Sequence, residues 1–282
     1  IGISVGTKEL INVAKNIADT SCKAKVILAY ENDEQEVQKA AKLLPDKIAP
    51  TVVDRICPQR TVNKETIVVT AEPYGSITAF VQSDKHKYLP PAFLSKETKE
   101  IRVITEQEEF DFVRDRKKRL VNALHCAAAA LVRKALMEVG ASQGTHDDYV
   151  LSLIASNMEI NTQLIGVKEV LILSILGKLP ASRLESINSI KMLEMISELN
   201  AFSAQALQRM FDAPDVPSRV LKDDLSSLSA KYNRLFSDVK VLALVALRNK
   251  VVQLSLPMTE KEINARLGVI NEAFLRFFCE NK

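Results

Sequence analysis

The chain has 282 residues, of which 47% are hydrophobic and 26% charged, and its formal net charge at pH 7 is +3. These values are typical of a soluble globular protein with one large or two modest domains, and they exclude a collagen-like, coiled-coil or wholly disordered chain. The small, mixed charge excludes a strongly basic nucleic-acid-binding protein, and no run approaches the ~18 apolar residues of a membrane span.

The first hundred residues contain short β-branched runs separated by helical or turn-rich pieces, which predicts α/β structure. Ile1–Val5 is a predicted strand end, Lys8–Asp19 has helical spacing of apolar residues, and Lys25–Tyr30 is the next predicted strand. A strand, helix, strand unit of this kind builds parallel sheets. Gln82–Lys99 is polar and contains two prolines, so we expect a surface excursion there. Further strands are predicted at Pro50–Cys57, Thr66–Ala71, Ser76–Val81 and Ile101–Thr105.

From about Glu109 the hydrophobic period becomes helical and stays so, which predicts an α/β domain over residues 1–108 and a helical domain over residues 109–282. Arg114–Val139 is the clearest helix, because it is rich in Ala and Leu, lacks Gly and Pro, and is followed by Gly140. Two later helices are predicted to start at capping boxes, Ser182-x-x-Glu185 and Thr259-x-x-Glu262.

Three polar side chains on the long helix form a candidate site. Lys117, Asn122 and His125 project at roughly 0°, 140° and 80° around a regular α-helix, and therefore into one sector. A lysine of lowered pKa could take a hydroxyl proton, an amide could stabilise the resulting oxyanion, and an imidazole could hold a neighbouring hydroxyl. The spacing alone also fits a solvated lysine and a packing histidine.

The spacing Lys-x4-Asn-x2-His resembles the active-site signature of the polyol-specific long-chain dehydrogenases, the mannitol dehydrogenase family. Other segments are similar to that family in the same order, with Val53-Asp54-Arg55-Ile56-Cys57-Pro58 closest to its mannitol-1-phosphate branch. The remaining similar segments are Ser4-Val5-Gly6, Ala29-Tyr30-Glu31-Asn32, and the region from Arg219 to Leu235.

The resemblance implies a remnant of a Rossmann-type sheet with extra strands, followed by an all-α domain of the 6-phosphogluconate dehydrogenase C-terminal type. It implies NAD(P)-dependent interconversion of a sugar alcohol, or its phosphate, and a ketose. Lys117 would be the general base, Asn32 and Asn122 would hold the oxyanion, and His125 with Arg219 would orient the polyol. Val5 and Gly6 would contact NAD or NADP.

The sequence also departs from the family. It has no Gly-x-Gly-x-x-Gly turn among its 8 glycines, and Ser227 stands where the family usually has a lysine. The chain is therefore expected to be a truncated dehydrogenase or, alternatively, an inactive relative that serves as an interaction or scaffold subunit. Small polyols or sugar phosphates are the expected ligands, and protein partners are expected for the inactive alternative.

The cysteines and the first residues bear on the compartment. Cys22, Cys57, Cys126 and Cys279 are widely spaced and lack the close Cys/His pairing of a zinc site, so we expect free thiols and no metal centre. The first residues have neither the basic nor the apolar region of a secretory signal. We therefore expect an intracellular protein, of the cytoplasm or an organelle matrix, that is neither secreted nor bound to a membrane.

Overall fold

The chain divides into two compact units, Ile1–Arg114 and Asp115–Lys282. The sequence predicted a boundary after residue 108, inside the helix that begins at Gln107. The protein is described by a computed structural model over residues 1–4, 7–20, 22–30, 34–54, 59–62, 67–70, 76–95, 100–138, 157–212 and 225–279.

The first unit contains a mixed sheet of five strands in the order β1-β2-β3-β6-β7. The first three strands are parallel, β3 and β6 are antiparallel, and β6 and β7 are parallel. A separate antiparallel pair is formed by β4 and β5. The strands are β1 (Gly2–Ile3), β2 (Ile27–Ala29), β3 (Ile48–Asp54), β4 (Gln59–Val62), β5 (Ile67–Thr70), β6 (Ser76–Phe80) and β7 (Ile101–Ile104).

Two helices connect the parallel strands, α1 (Thr7–Asp19) and α2 (Glu34–Leu43). Helix α1 buries Leu10 and Ala14, four residues apart and hence on one face, against the sheet residues Ile3 and Ile27. All three residues of β2 are buried, as expected for a strand covered on both faces. The α/β character and the predicted helix at Lys8–Asp19 are thus confirmed.

The predicted surface excursion is wrong in one respect. Between β6 and β7 the chain forms a 3-10 helix, Ser83–Tyr88, and a short helix, α3 (Pro91–Leu94). Leu89 between them is only 5% exposed and joins a core cluster with Leu28 and Ala79. A single leucine among polar residues has no periodicity, so the sequence pattern did not reveal this anchor.

The second unit is helical over its described residues, which confirms the coarse prediction of a helical second half. The helices that follow α3 are α4 (Gln107–Lys117), a π-helical turn (Lys118–Ala123), α5 (Leu124–Glu138), α6 (Met158–Leu176), α7 (Ala181–Asn188), α8 (Met192–Asp212), α9 (Leu225–Phe236), α10 (Val239–Ala246), α11 (Lys250–Ser255) and α12 (Glu260–Cys279). The apolar helix α6 contacts α5, α8, α10 and α12.

One of the two predicted capping boxes is confirmed and the other is wrong. The Thr259 amide donates to Glu262 Oε2 at 2.6 Å, and the Glu262 amide donates to Thr259 Oγ1 at 3.2 Å. Helix α7 instead begins after Pro180, without a side-chain cap, and Ser182 lies inside it. Glu185 accepts a hydrogen bond from the Met192 amide at 2.8 Å. Its carboxylate therefore supports the start of the next helix, α8.

The Glu262 cap predicts a pH-dependent stability. Hydrogen bonds from the backbone and side chain of Thr259 lower the pKa of Glu262 below its ordinary value. The cap should therefore stabilise the fold above the unfolded-state pKa of about 4.3, and this contribution should be lost as the pH falls through the folded pKa. In urea unfolding between pH 7 and pH 3, Glu262→Gln should be less stable than wild type at pH 7, and the difference should vanish in acid. Glu198→Gln, at an exposed site on α8, is the control, and a difference that persists at pH 3 would contradict the cap.

A stretch from Gln107 to Glu138 is the one described helix that is long and apolar enough to cross a membrane by length and composition. Its most apolar window is 72% buried inside the protein. That burial is typical of the core helix of a globular unit. Cys126 on this helix is buried, and Cys22 in the first unit is partly buried; the described residues contain no disulfide between them.

Candidate active site at a π-helical turn

The helix predicted over Arg114–Val139 is confirmed as far as Glu138, but it contains a π-helical turn at Lys118–Ala123. This turn contacts α6, α8 and α9. A π turn is rare, forms hydrogen bonds from residue i to residue i+5, and occurs frequently at functional sites. It lies in the segment that the sequence singled out.

The π turn changes the relation between Lys117 and Asn122. In a regular α-helix, side chains five residues apart point about 140° apart. In a π turn the backbone hydrogen bond joins residue i to residue i+5, so a residue five positions later lies about one turn further along the helix. Lys117 and Asn122 therefore lie closer to one face than the sequence calculation indicated. Asn122 is exposed and Lys117 is partly buried.

His125 has a different environment from Asn122. It is only 4% exposed, and Cys126 and Leu124 beside it are buried as well. Burial is continuous from Ala123 to Val132. Helix α5 thus offers no open polar face over this stretch. The accessible residues of the candidate site are Asn122, which is exposed, and Lys117 and Lys118, which are partly buried.

Lys118 is a charged residue at this turn that the sequence analysis did not select. Burial lowers its pKa from the ordinary lysine value, and the adjacent charge of Arg119 lowers it further. Asp238 and Asp115 act in the opposite direction, and Lys178 lowers the pKa slightly more. Lys118, next to the predicted base Lys117, is therefore shifted towards its neutral, proton-accepting form.

Arg119 is fully buried, with an exposed fraction of 0%. Its guanidinium donates hydrogen bonds to the Leu235 carbonyl and to the Asp238 carboxylate. Burial acts to raise the pKa of Asp238, but the hydrogen bond and charge of Arg119 outweigh it, so the pKa lies below its ordinary value. Asp238 is therefore ionised at neutral pH, and the buried cation has a charged partner.

A second ion pair lies one turn earlier on the same helix. The Asp115 carboxylate, in a residue only 5% exposed, is 2.6 Å from the Lys178 ammonium that follows α6. The guanidinium carbon of Arg116, the next residue, lies 4.4 Å from the ring centroid of Phe202 on α8. The basic segment around Lys117 is thus anchored to neighbouring helices, although its sequence could equally describe a solvated surface. The sequence feature that could have indicated this burial is the apolar stretch that begins at Leu120, directly after the basic residues.

A cavity of about 440 Å³ lies elsewhere in the second unit, at the end of α6 and the start of α7, with Lys178 and Arg248 as its charged lining residues. Lys178 follows the C-terminus of α6, and Arg248 follows that of α10. Cations are favourable at these positions because they offset the negative end of the helix dipole. Their placement is therefore accounted for without a ligand.

Four predicted site residues lie outside the described residues: Val5, Gly6, Asn32 and Arg219. The first three would follow β1 or β2, and Arg219 would precede α9. Asp54, in the segment similar to the mannitol-1-phosphate branch, ends β3 and is only 6% exposed. Of the residues proposed for catalysis, the described structure places Lys117, Asn122 and His125 on one continuous helix.

Comparison with known proteins leaves the family open. No protein-family model matches the chain, and no curated protein matches it significantly. The resemblance to the polyol dehydrogenases therefore rests on the motifs quoted above alone.

Proposed function

We propose that this chain supplies the substrate side of an NAD(P)-dependent polyol or polyol-phosphate dehydrogenase, with its site at the π turn. The observation that carries the proposal is the π-helical turn at Lys118–Ala123, whose wider geometry brings the partly buried Lys117 and the exposed Asn122 closer to one face. In this proposal the helical unit is of the 6-phosphogluconate dehydrogenase C-terminal type, and the parallel strands β1 to β3 belong to a Rossmann-type sheet. An NAD(P) cofactor would accept the hydride.

Each residue has a defined task in the proposed reaction. Lys117 Nζ takes the proton of the substrate hydroxyl as the general base. The Asn122 amide donates to the oxygen as it becomes a carbonyl, which stabilises the developing negative charge. From the resemblance alone, Asn32 is a second such donor, and His125 and Arg219 orient the polyol.

The described residues do not fit a dinucleotide. The sequence contains no Gly-x-Gly-x-x-Gly turn to bring a backbone close to a pyrophosphate. Val5 and Gly6, the residues proposed to contact the cofactor, lie outside the described residues. In the proposed reaction this chain therefore binds and deprotonates the alcohol.

The proposal is tested by the turnover of sugar alcohols and their phosphates with NAD and NADP, using the protein as its gene encodes it. Lys117→Ala should lower kcat by about 100-fold or more, because the general base is removed. Asn122→Ala should lower kcat by about 100-fold, since the oxyanion loses a donor. Lys261→Ala, at an exposed site on α12, should leave turnover unchanged. Full turnover by Lys117→Ala would reject the assignment of the base.

A second candidate is a catalytically inactive relative that serves as an interaction or scaffold subunit. The missing glycine-rich turn and the burial of His125 favour it. It predicts no turnover of any sugar alcohol and no change in NADH fluorescence on mixing with the protein. Saturable quenching or enhancement of that fluorescence would exclude this candidate and support the dehydrogenase.

A further inference from the structure

The buried guanidinium of Arg119 joins three parts of the second unit. Arg119 lies in the π turn, Leu235 lies in the last turn of α9, and Asp238 immediately precedes α10. One side chain therefore connects the turn that carries the candidate site to the junction between two later helices. The bonded residues are 116 and 119 positions apart in sequence.

The two acceptors lie at the ends of neighbouring helices. The last four carbonyls of an α-helix have no intrahelical donor, and the Leu235 carbonyl is among them. Asp238 stands at the N-cap of α10, but its side chain makes no capping hydrogen bond there. A buried guanidinium is costly unless it is paired and hydrogen-bonded. Arg119 can therefore remain buried only where it reaches both acceptors.

We propose that Arg119 is a positioning residue that holds the turn in its π register and thereby keeps Lys117 and Asn122 on a common face. The importance of this register for catalysis rests on the proposed function. The register itself is a property of the fold and can be measured without any substrate.

The helical geometry links the two features. Closing the π turn into α-helical hydrogen bonds would remove one residue from the turn and rotate the segments on either side by about 100° relative to each other. If α5, after the turn, kept its packing, the side chains of Lys117 and Arg119 would rotate away from their present directions. If α4, before the turn, kept its packing, the side chains of Asn122 and His125 would rotate instead. Keeping Arg119 on Leu235 and Asp238 while α5 remains buried therefore selects the π register.

A pair of engineered histidines can report the register. Lys117→His combined with Asn122→His places two imidazoles five residues apart, which lie close to one face in a π turn and about 140° apart in an α-helix. Ni²⁺ is the probe, because two imidazoles on one face bind a divalent metal together. The reference is Asn122→His alone. The matched control is Lys261→His with Ala265→His, an exposed i, i+4 pair on the regular helix α12.

With Arg119 present, the Lys117→His/Asn122→His pair should bind Ni²⁺ about tenfold or more tightly than the single histidine, because the second ligand binds intramolecularly. Adding Arg119→Met should reduce the affinity to that of the single histidine, while the control pair on α12 keeps its affinity in the same background. A general loss of stability would weaken both pairs alike. Isothermal titration calorimetry with Ni²⁺ measures all of these affinities.

Two results would overturn the proposal. One is equal Ni²⁺ affinity of the Lys117→His/Asn122→His pair with and without Arg119, and the other is no advantage of that pair over the single histidine when Arg119 is present. If Arg119→Met does not fold, Asp238→Asn decides, since it removes only the charged acceptor and should weaken the pair on the π turn selectively. No polyol turnover by the wild-type protein, together with a metal pair whose affinity depends on Arg119, would reject the proposed function and leave the register proposal standing.

Discussion

Gly177→Ala is expected to destabilise the protein by roughly 3 kcal/mol, at the upper end of the cost of overpacking a core. Gly177 caps the C-terminus of α6, where α6 packs against α10. A Cβ at this position would lie 1.8 Å from the Leu242 carbonyl oxygen and 3.2 Å from the Ala246 nitrogen. These are backbone atoms, so no side-chain rotation relieves the clash, and the two helices would have to separate.

The backbone at Gly177 is ordinary, with φ −84° and ψ −4°, so the expected loss is steric and not conformational. Gly268→Ala on α12 is the matched control, because a Cβ there meets nothing within 4 Å. It should stabilise the protein by about 0.5–1 kcal/mol, as alanine is the better helix former. Urea unfolding measures both free energies. Equal effects of the two substitutions would contradict the close approach of α6 and α10.

Phe110→Ala should lower the free energy of unfolding of the first unit by about 3–5 kcal/mol, the usual cost of removing a buried phenylalanine ring. Phe110 is only 2% exposed and forms a core cluster with Val52, Ile104 and Val113. Its ring centroid is 5.6 Å from that of Phe80, in a tilted pair. Truncation would leave a cavity where α4 begins on the sheet.

The control for Phe110 is Tyr88→Ala in the same unit. Tyr88 is 48% exposed, so its loss should change the free energy of unfolding by less than about 1 kcal/mol. Both variants are compared by urea denaturation of the whole chain. A loss at Phe110 no larger than that at Tyr88 would show that this cluster contributes little to the first unit.

Much of the architecture follows from local sequence patterns. The helical spacing of Lys8–Asp19, the alanine-rich helix that begins at Leu124, and the Thr259 capping box each report a local preference that the fold retains. The strand predicted at Thr66–Ala71 is also found, but it pairs with Gln59–Val62 and not with the five-stranded sheet. Its partner depends on a second segment, and the pattern within one strand does not contain that information.

The π turn could not be predicted in this way. Its residues suit an α-helix as well as a π turn, and the interactions that accompany the wider turn come from Leu235 and Asp238. A run of basic residues usually indicates a solvated face, and Arg119 becomes a core residue only because distant acceptors meet it. The sequence pattern fails in the same way at Ser182 and Glu185. It predicted a cap on α7, but the Glu185 carboxylate accepts its hydrogen bond from the start of the next helix, α8.

A π turn also affects how this segment aligns with other proteins. It holds one residue more than an α-helical turn that presents the same flanking faces. A helix without the turn would bring a lysine and an asparagine to a common face with three residues between them, where this chain has four between Lys117 and Asn122. An alignment of this region with a regular helix therefore needs a one-residue gap within Lys118–Ala123. Without the gap, the residues on one side of the turn would be matched to residues on the wrong face of the regular helix.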